Sequence, residues 1–566
     1  MTRYIVFIFV FIFQWSLKAQ NSDDALPLPS NYLIKNVTVV QKPGVVLSSQ
    51  DVLIQNGTIT NIGKGLTLPI NCQLIKGDSA YLYAGFIDGF SHLGMPEPDK
   101  KNAPKIENPL NPPNSAVGIT PQVIATDLFN SEDKGIAEWR NQGFTVTNSA
   151  PIGPFLSGQT SVMLLGEGSA QSLQLKKSSG NVLSLSSAGR AYPATSIGVM
   201  AKFRDLIKNT KNYKIIQEKY TKNQTSIPRP EFNEVYEALV PVTEQSKSIF
   251  FKAPTVKDIH KATLLSKELQ FQLCLVDVQQ AWSAVAQRKM ANADVFLSLA
   301  LPQITMQNDS MKTIKKDSLM TSKKSLEEAQ FDSLRQNTVL LYQSQAAILA
   351  KKGVPFGFSL LTAKSKDFKK SLLTYLDKGL SEDAALAALT TYPALVLGID
   401  KQAGTVEKGK MANLILTDRP FFTEKSNIVA VFVEGKMYRQ EIKSQKKSSG
   451  KHGGQQKFDG TWSYTVSFPE EPQKGNIFIS TSGPNFTIQI EDNASDGKRD
   501  DAKDITADGN KLTFSVIAQL GKPTNVDFDL TFDGDSYDGT ILVEGFGVFP
   551  IEGTRISSPE TKSMFK

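Results

Sequence analysis

The sequence predicts an α/β barrel followed by a separate all-β domain, and three observations support this fold class. Between residues 85 and 395, short apolar runs alternate with helical patterns, which is typical of a parallel α/β architecture, and this length suits a (β/α)8 barrel. After residue 400, apolar residues recur at every second position, the period of a strand. At 566 residues and 40% apolar content, the chain is long enough for roughly two or three domains with their own cores.

The N-terminus has the pattern of a secretory signal peptide over residues 1–19. Arg3 precedes an apolar run from Ile5 to Phe13, and Leu17-Lys18-Ala19 provides a cleavage site. The run is much shorter than the roughly 20 residues that span a bilayer. The sequence therefore predicts an exported protein, periplasmic or extracellular, with no transmembrane segment.

The segment before the barrel is β-rich. In VLIQNGTITNIG (52–63), Asn56-Gly57 stands between two short alternating runs. This dipeptide is the strongest local signal for a type I′ turn, so we expect a β-hairpin here.

The formal net charge of +7 does not indicate a nucleic-acid-binding surface. Residues 443–457 hold five lysines and no acidic residue, in a Lys/Gly/Ser/Gln-rich composition that indicates a linker. A nucleic-acid-binding protein instead concentrates basic residues and aromatic platforms on one folded face. We therefore expect no nucleic-acid partner.

Residues 458–555 predict a small antiparallel β domain, either a barrel or a sandwich. Turn signals at 508–510 and 534–535 flank the alternating run NVDFDLTF (525–532). Gly460-Thr461-Trp462 and Gly553-Thr554-Arg555 resemble the Trp–Arg pairing of lipocalin-type barrels, in which the tryptophan packs beneath a terminal arginine. An ordinary antiparallel sandwich with a buried tryptophan accounts for the same residues equally well.

Two motifs that frame residues 32–440 resemble the amidohydrolase superfamily. AGFIDGFSH (84–92) is similar to the first-strand motif P-G-F-I-D-x-H-x-H, and the stretch from ALTTYPALVLGID (388–400) to GTVEKGKMANLILTD (404–418) is similar to the segment that closes these barrels. With RPEFNEVYEALVPV (229–242), the sequence resembles the imidazolonepropionase-like branch. The resemblance implies a distorted (β/α)8 TIM barrel over residues 85–395. It also implies a small composite β-sandwich built from residues 32–84 and 396–440.

The same resemblance implies hydrolysis of carbon–nitrogen bonds other than peptide bonds. Family hydrolases hold one or two divalent metals, usually zinc, which activate a water molecule. The ligands are two histidines of the first strand, a bridging lysine or glutamate, histidines on strands five and six, and an aspartate on strand eight. Catalytic zinc generally needs about three protein ligands besides the water.

Most of these positions lack a metal-binding side chain in this sequence. Phe90 takes the first histidine position and His92 the second. The fifth strand offers Lys252, a ligand only when carbamylated, and the sixth offers Asp277 in place of histidine. Leu361 takes the place of the aspartate on strand eight.

The chain contains three histidines, and only His92 lies at a ligand position. His260 belongs to a predicted helix over 258–269, and His452 belongs to the linker. We therefore predict no catalytic residue and a metal site that is largely lost, with His92 as its residual ligand.

These observations support three hypotheses. The first is a pseudoenzyme without a cofactor that binds or scaffolds a partner, such as an intact amidohydrolase relative or a second copy of the chain. The second is an active enzyme with zinc or another divalent metal on His92, carbamylated Lys252 and Asp277. The third is a carrier that binds an apolar small molecule in its C-terminal β domain.

Overall fold

The computed structural model of the chain describes most of residues 31–440 and most of residues 458–557. The described ranges are 31–98, 106–187, 189, 191–286, 293–302, 326–440, 458–466, 472–482, 485–492, 498–508, 510–519, 523–543 and 547–557. The predicted signal peptide (1–19) and linker (443–457) lie outside these ranges. Within them, no helix has the length and apolar character needed to cross a membrane.

Strands from both flanks of the barrel share one eight-stranded sheet. Its strands are β1 (Tyr32–Lys42), β2 (Val45–Gln55), β3 (Thr58–Gly63), β4 (Gln73–Lys76), β5 (Tyr81–Ala84), β14 (Leu414–Thr417), β15 (Ile428–Val433) and β16 (Lys436–Arg439). β14 joins the two flanks by pairing with both β5 and β15. At the turn between β2 and β3, Asn56 and Gly57 have φ values of 49° and 75°. Both φ values are positive, as a type I′ turn requires, so the predicted hairpin is confirmed.

The second sheet curls into a nearly closed eight-stranded barrel. Its strands are β6 (Phe86–Ser91), β7 (Phe144–Ser149), β8 (Gln159–Leu164), β9 (Gln174–Leu183), β10 (Ser248–Lys252), β11 (Leu273–Val278), β12 (Asp294–Ser298) and β13 (Gly357–Ser359). The edge strands β6 and β13 meet through two hydrogen bonds. Ser359 Oγ donates to the Phe90 carbonyl at 2.8 Å, and the Leu360 N–H donates to Asp88 Oδ1 at 3.0 Å.

One strand departs from the expected (β/α)8 pattern. β8 runs antiparallel to both of its neighbours, β7 and β9, whereas the other neighbouring strands are parallel. The connection from β7 to β8 contains no helix, so the chain reverses directly instead of crossing over. The strand–helix alternation expected between residues 85 and 395 is therefore interrupted between β7 and β9.

Ten α-helices accompany the described strands. They are α1 (Ala125–Leu128), α2 (Lys134–Asn141), α3 (Ser196–Lys222), α4 (Glu234–Thr243), α5 (Val256–Leu269), α6 (Ala281–Ala286), α7 (Leu326–Lys351), α8 (Phe368–Asp377), α9 (Glu382–Leu389) and α10 (Thr391–Leu397). The predicted helix at 258–269 corresponds to α5. Thr255 caps α5 by accepting from the Asp258 N–H, and Gln270 ends it in the left-handed conformation.

Phe296 on β12 fills space that two glycines leave open. A Cβ atom on Gly89 would lie 2.0 Å from Phe296 Cδ1, and one on Gly357 would lie 2.6 Å from Phe296 Cε1. The Phe296 side chain is completely buried. The first and last strands of the barrel therefore need glycine at these positions to accommodate the ring.

The C-terminal domain is a single nine-stranded antiparallel sheet that curls toward closure. Its strands are β17 (Gly460–Val466), β18 (Gln473–Ser482), β19 (Asn485–Asp492), β20 (Arg499–Asp501), β21 (Lys503–Asp508), β22 (Lys511–Gln519), β23 (Pro523–Asp533), β24 (Ser536–Val543) and β25 (Gly547–Ser557). The Arg555 guanidinium carbon lies 4.2 Å from the centroid of the buried Trp462 ring. The Trp462 ring also packs edge-on against Phe532 at 4.7 Å.

Candidate functional site at the barrel mouth

Three of the sequence-predicted side chains converge at one end of the barrel. His92 directly follows β6, Lys252 ends β10, and Asp277 is the penultimate residue of β11. These strands run in the same direction, so their carboxyl ends open on one face, where barrels of this kind carry their sites. The strands therefore bring these three residues to the same end of the barrel.

His92 uses both of its ring nitrogens. Nδ1 lies 2.6 Å from the Ala150 carbonyl oxygen, which can only accept, so Nδ1 carries the proton. Nε2 then has a lone pair, which accepts a hydrogen bond from Lys252 Nζ at 3.0 Å. Burial, reinforced by the Lys252 charge, lowers the pKa of His92 to about 4. The imidazole is therefore neutral at physiological pH.

Lys252 is half-buried beside aromatic rings. Its Nζ lies 5.8 Å from the centroid of the Phe90 ring, which stacks on Phe250. Burial lowers the pKa of Lys252 to about 8, although the nearby Asp277 carboxylate works in the opposite direction. A fraction of the amine is consequently neutral near physiological pH.

Asp277 accepts a hydrogen bond from a hydroxyl group that follows the last barrel strand. Its Oδ1 accepts from Thr362 Oγ1 at 2.8 Å, and Thr362 in turn lies 2.8 Å from Ser298 Oγ. Burial raises the pKa of Asp277, an effect that these hydrogen bonds oppose. Asp277 also has a φ of 54°, a left-handed conformation that only a few per cent of non-glycine residues adopt.

Asp88 forms a second polar centre, inside the barrel wall. Its carboxylate accepts from Thr147 Oγ1 at 2.6 Å and from the Phe90 and Leu360 N–H groups at 3.0 Å each. The side chain is completely buried, and burial raises its pKa to about 6. Asp88 therefore connects the first, second and last strands of the barrel.

Sequence reasoning did not assign a role to Asp88 or Thr362. Asp88 belongs to the first-strand motif, and the signal for it was a carboxylate inside an otherwise apolar strand, a residue type that is rarely buried without partners. Thr362 directly follows the predicted strand-eight position, Leu361. The hydroxyl group that contacts Asp277 therefore lies one residue after the position at which the resemblance implies a carboxylate.

The residues present do not fit a divalent metal of the family type. The Phe90 ring has no lone pair to donate, Leu361 is apolar, and the Nε2 lone pair of His92 is already taken by Lys252. Across the ranges that the structure describes, no group of three or more His, Cys, Asp or Glu side chains is arranged to hold a metal ion. His260 lies on α5, and His452 lies outside the described residues.

Comparisons with known proteins agree with this fold. Residues 359–438, from the end of β13 through most of β16, match the model of the amidohydrolase family. An amidohydrolase from Thermotoga maritima MSB8 superimposes with a TM-score of 0.56 and 22% sequence identity, covering 72% of this chain and 100% of that chain. This likeness supports the fold. No curated protein matches the chain.

Two other solved structures are more distant. A Xaa-Pro dipeptidase with methionine bound in its active site has a TM-score of 0.41 and 14% identity, covering 72% of this chain and 100% of that chain. A zinc-bound adenosine deaminase from Xanthomonas campestris has a TM-score of 0.36 and 15% identity, covering 73% of this chain and 93% of that chain.

Proposed function

We propose that this protein is a degenerate, non-hydrolytic relative of the amidohydrolases whose barrel serves as a binding or scaffolding partner. The observation that carries this proposal is the 3.0 Å hydrogen bond from Lys252 Nζ to His92 Nε2. A metal ion at His92 would need the lone pair that the lysine already uses. The Lys252 ammonium group thus takes the place of the metal ion next to His92. Unlike a metal ion, it cannot coordinate and activate a water molecule.

Electrostatics supports the same proposal. A divalent cation placed next to the Lys252 ammonium would meet like-charge repulsion, which costs about 4 kcal/mol per pair of unit charges at 4 Å near a protein surface. Little negative charge is present to offset this repulsion. Asp277 is a single carboxylate, and burial raises its pKa, which disfavours its charged form. The charges at this end of the barrel therefore favour the Lys252 amine over a bound divalent metal ion.

The binding role is supported by an open groove next to the mouth. The groove has a volume of about 760 Å³ and is lined by α7 and by the segments that follow β11 and β12. Phe331 and Leu334 of α7 are 69% and 66% exposed there, and Gln279 links the groove to Asp277. Solvent-exposed apolar side chains of this kind are typical of protein-binding surfaces. The partner that we propose is another amidohydrolase barrel, either an intact relative or a second copy, in a periplasmic or extracellular compartment.

The convergence of His92, Lys252 and Asp277 favours one alternative. If Lys252 were carbamylated, it would present a carboxylate, and the three side chains together would provide the donors that zinc or another divalent metal requires. The metal would supply an activated water for the hydrolysis of carbon–nitrogen bonds. The imidazolonepropionase-like and lipocalin-like assignments remain predictions under either proposal.

Metal analysis distinguishes the two candidates. The full chain would be purified from zinc-supplemented, bicarbonate-buffered medium and examined by elemental analysis and native mass spectrometry. We expect substoichiometric metal and an unmodified Lys252. Near-stoichiometric metal that is lost in His92→Ala but retained in His260→Ala would instead establish the metal-dependent enzyme and overturn our proposal.

A further inference from the structure

Helix α3 carries a row of basic residues on its exposed face. The helix contains seven Lys or Arg residues and two Asp or Glu residues. Its buried side chains belong to the core of the barrel, whereas Lys208, Lys211, Lys219 and Lys222 are all exposed. Side chains three, eight or eleven positions apart lie on one face of a helix. We call these four lysines the basic stripe.

Three lysines of the basic stripe have no anionic partner within the described part of the chain. Lys211 donates to the Leu269 carbonyl at 3.3 Å. No ion pair or hydrogen bond of the described residues involves the side chains of Lys208, Lys219 or Lys222. Lys219 and Lys222 stabilise the C-terminus of the helix through their charge, but Lys208 lies too far from that end for this effect. The stripe therefore presents positive charge without a counterpart on the same surface.

An apolar centre lies within the basic stripe. Ile215 follows Lys211 by one helical turn and is 48% exposed, and the neighbouring Ile216 is 49% exposed. Exposed aliphatic side chains surrounded by charged ones resemble the apolar centre and polar rim of a protein–protein interface. This surface therefore suits a folded protein that presents acidic side chains.

The C-terminal β domain presents such side chains. Residues 458–555 contain 17 acidic and 7 basic residues. On the outer face of the sheet, Asp538 of β24 lies directly opposite Glu552 of β25, and like charges in this position repel each other. Both side chains are exposed, and neither forms an ion pair with any described residue. Asp527 of β23 also faces outward, between the buried Val526 and Phe528. We call these three carboxylates the acidic face.

We propose that the basic stripe of one copy of this chain binds the acidic face of a second copy. The contact would place unpaired lysines against carboxylates that repel each other in the free domain, so both surfaces gain from it. This inference rests on the proposed function, which allows an intact relative or a second copy as the partner, and it selects the second copy because the chain itself supplies the acidic face.

The position of the C-terminal domain along the chain favours a contact between copies over one within a copy. The linker to this domain begins after β16, which pairs with β15, and β15 contacts β7. Helix α3 instead packs against α4 and α5, which cover β9 and β11. The acidic face of the same chain would therefore have to pass around the barrel to reach the basic stripe.

Charge reversal on the full-length protein tests the inference. One variant reverses the basic stripe by Lys208→Glu with Lys219→Glu, and a second reverses the acidic face by Asp538→Lys with Glu552→Lys. Sedimentation velocity at low ionic strength measures the self-association of each protein. The matched control makes the same change in charge at two exposed lysines, one after α10 and one before β15, by Lys401→Glu with Lys425→Glu.

We expect the parent to self-associate and high salt to weaken this association, because salt screens exposed charges. Each of the two variants should associate with itself roughly tenfold more weakly, since attraction becomes repulsion at the altered positions, and the control should match the parent. An equimolar mixture of the two variants should associate again, because each presents a surface complementary to the other. This recovery also shows that both variants are folded, and a contact within one chain would not produce it.

A parent that stays monomeric, or a mixture of variants that stays dissociated, would overturn the inference. The proposed function would then stand, with an intact relative as the partner. If reversal of the basic stripe abolished binding to phosphatidylglycerol vesicles and left self-association unchanged, the stripe would belong to a membrane contact and the inference would also be wrong. Near-stoichiometric metal in the parent would overturn the proposed function itself.

Discussion

The Asp88 carboxylate accepts a hydrogen bond from the Leu360 N–H at 3.0 Å and thereby joins the first barrel strand to the last. β6 and β13 are the two edges of the barrel sheet and are not paired in its strand order, so side-chain contacts complete the wall. Asp88 lies in the strand that also carries Phe90, the position at which the resemblance implies a histidine ligand. A carboxylate that closes the barrel therefore lies two residues from that position on the same strand.

The ionisation of Asp88 should contribute less stability to the barrel at neutral pH than its protonated form does at pH 4. Burial raises the pKa of Asp88 in the folded state to about 6, from its ordinary value of 3.8. Because the folded state binds the proton more tightly, the contribution of Asp88 to the free energy of unfolding should fall as the pH rises from about 4 to 6 and stay constant above that. The change in pKa corresponds to about 3 kcal/mol.

Asp88→Asn should remove this dependence, because an amide keeps an acceptor for the Phe90 and Leu360 N–H groups and cannot ionise. We expect the variant to gain stability relative to the parent between pH 4 and pH 7, measured by urea unfolding at each pH. Asp127→Asn, which alters an exposed carboxylate, is the control. A difference between Asp88→Asn and parent that stays constant across this pH range would contradict the prediction.

Gly89→Ala should destabilise the barrel because the new methyl group would overlap the Phe296 ring. Overpacking of this kind costs about 1–3 kcal/mol in a well-packed core. The measurement is chemical denaturation followed by circular dichroism. Gly63→Ala, whose added Cβ would meet only Leu66 Cδ2 at 4.0 Å, should be close to neutral. A second substitution, Phe296→Leu, should recover part of the loss, and failure to recover any of it would show that the ring is not the cause.

Arg555→Ala should destabilise the C-terminal domain around β17 and β25. The Arg555 guanidinium stacks on Trp462, and its Nε pairs with Asp535 at 2.9 Å. Loss of the stacking and of the aliphatic cover should cost about 1–2 kcal/mol. Because Asp535 is exposed, Asp535→Asn should cost less. Hydrogen exchange in β17 and β25 provides the readout, and equal effects of the two variants would assign the stability to the ion pair.

The sequence predicted the parts of the fold that depend on local patterns. Asn56-Gly57 specified its turn because both residues tolerate positive φ. The helix predicted over 258–269 corresponds to α5, which begins two residues earlier, at Val256, because Thr255 caps it. The antiparallel β8 was missed because its sequence, QTSVML, begins with three polar residues and shows no strand-like apolar pattern, although all six residues are buried.

The convergence of His92, Lys252 and Asp277 followed from the motif frame, but the hydrogen bond between the first two did not. A sequence shows which residues end parallel strands, yet it does not show which of two facing side chains donates to the other. Thr362 was missed for a related reason, since it approaches Asp277 across 85 residues of chain. Such contacts depend on the curvature of the sheet and not on local pattern.

Lys252→Met should raise the pKa of His92 from about 4. Burial is the larger cause of the low value and remains in the variant, whereas the repulsion by the Lys252 charge disappears. We therefore expect a value between 4 and the ordinary 6.5, read from the pH titration of isotope-labelled histidine signals by NMR. The chain has three histidines, so His92→Ala assigns the signal.

The same variant tests whether the lysine is what keeps His92 from binding a metal. In Lys252→Met the Nε2 lone pair becomes available, so added zinc should shift the His92 signal more than it does in the parent. Binding should still be weak, because one imidazole and one carboxylate fall short of the three protein ligands that zinc requires. Lys257→Met, an exposed site on α5, should leave both the titration and the zinc response unchanged. An unaltered pKa of His92 in Lys252→Met would mean that the two side chains are not in contact in solution.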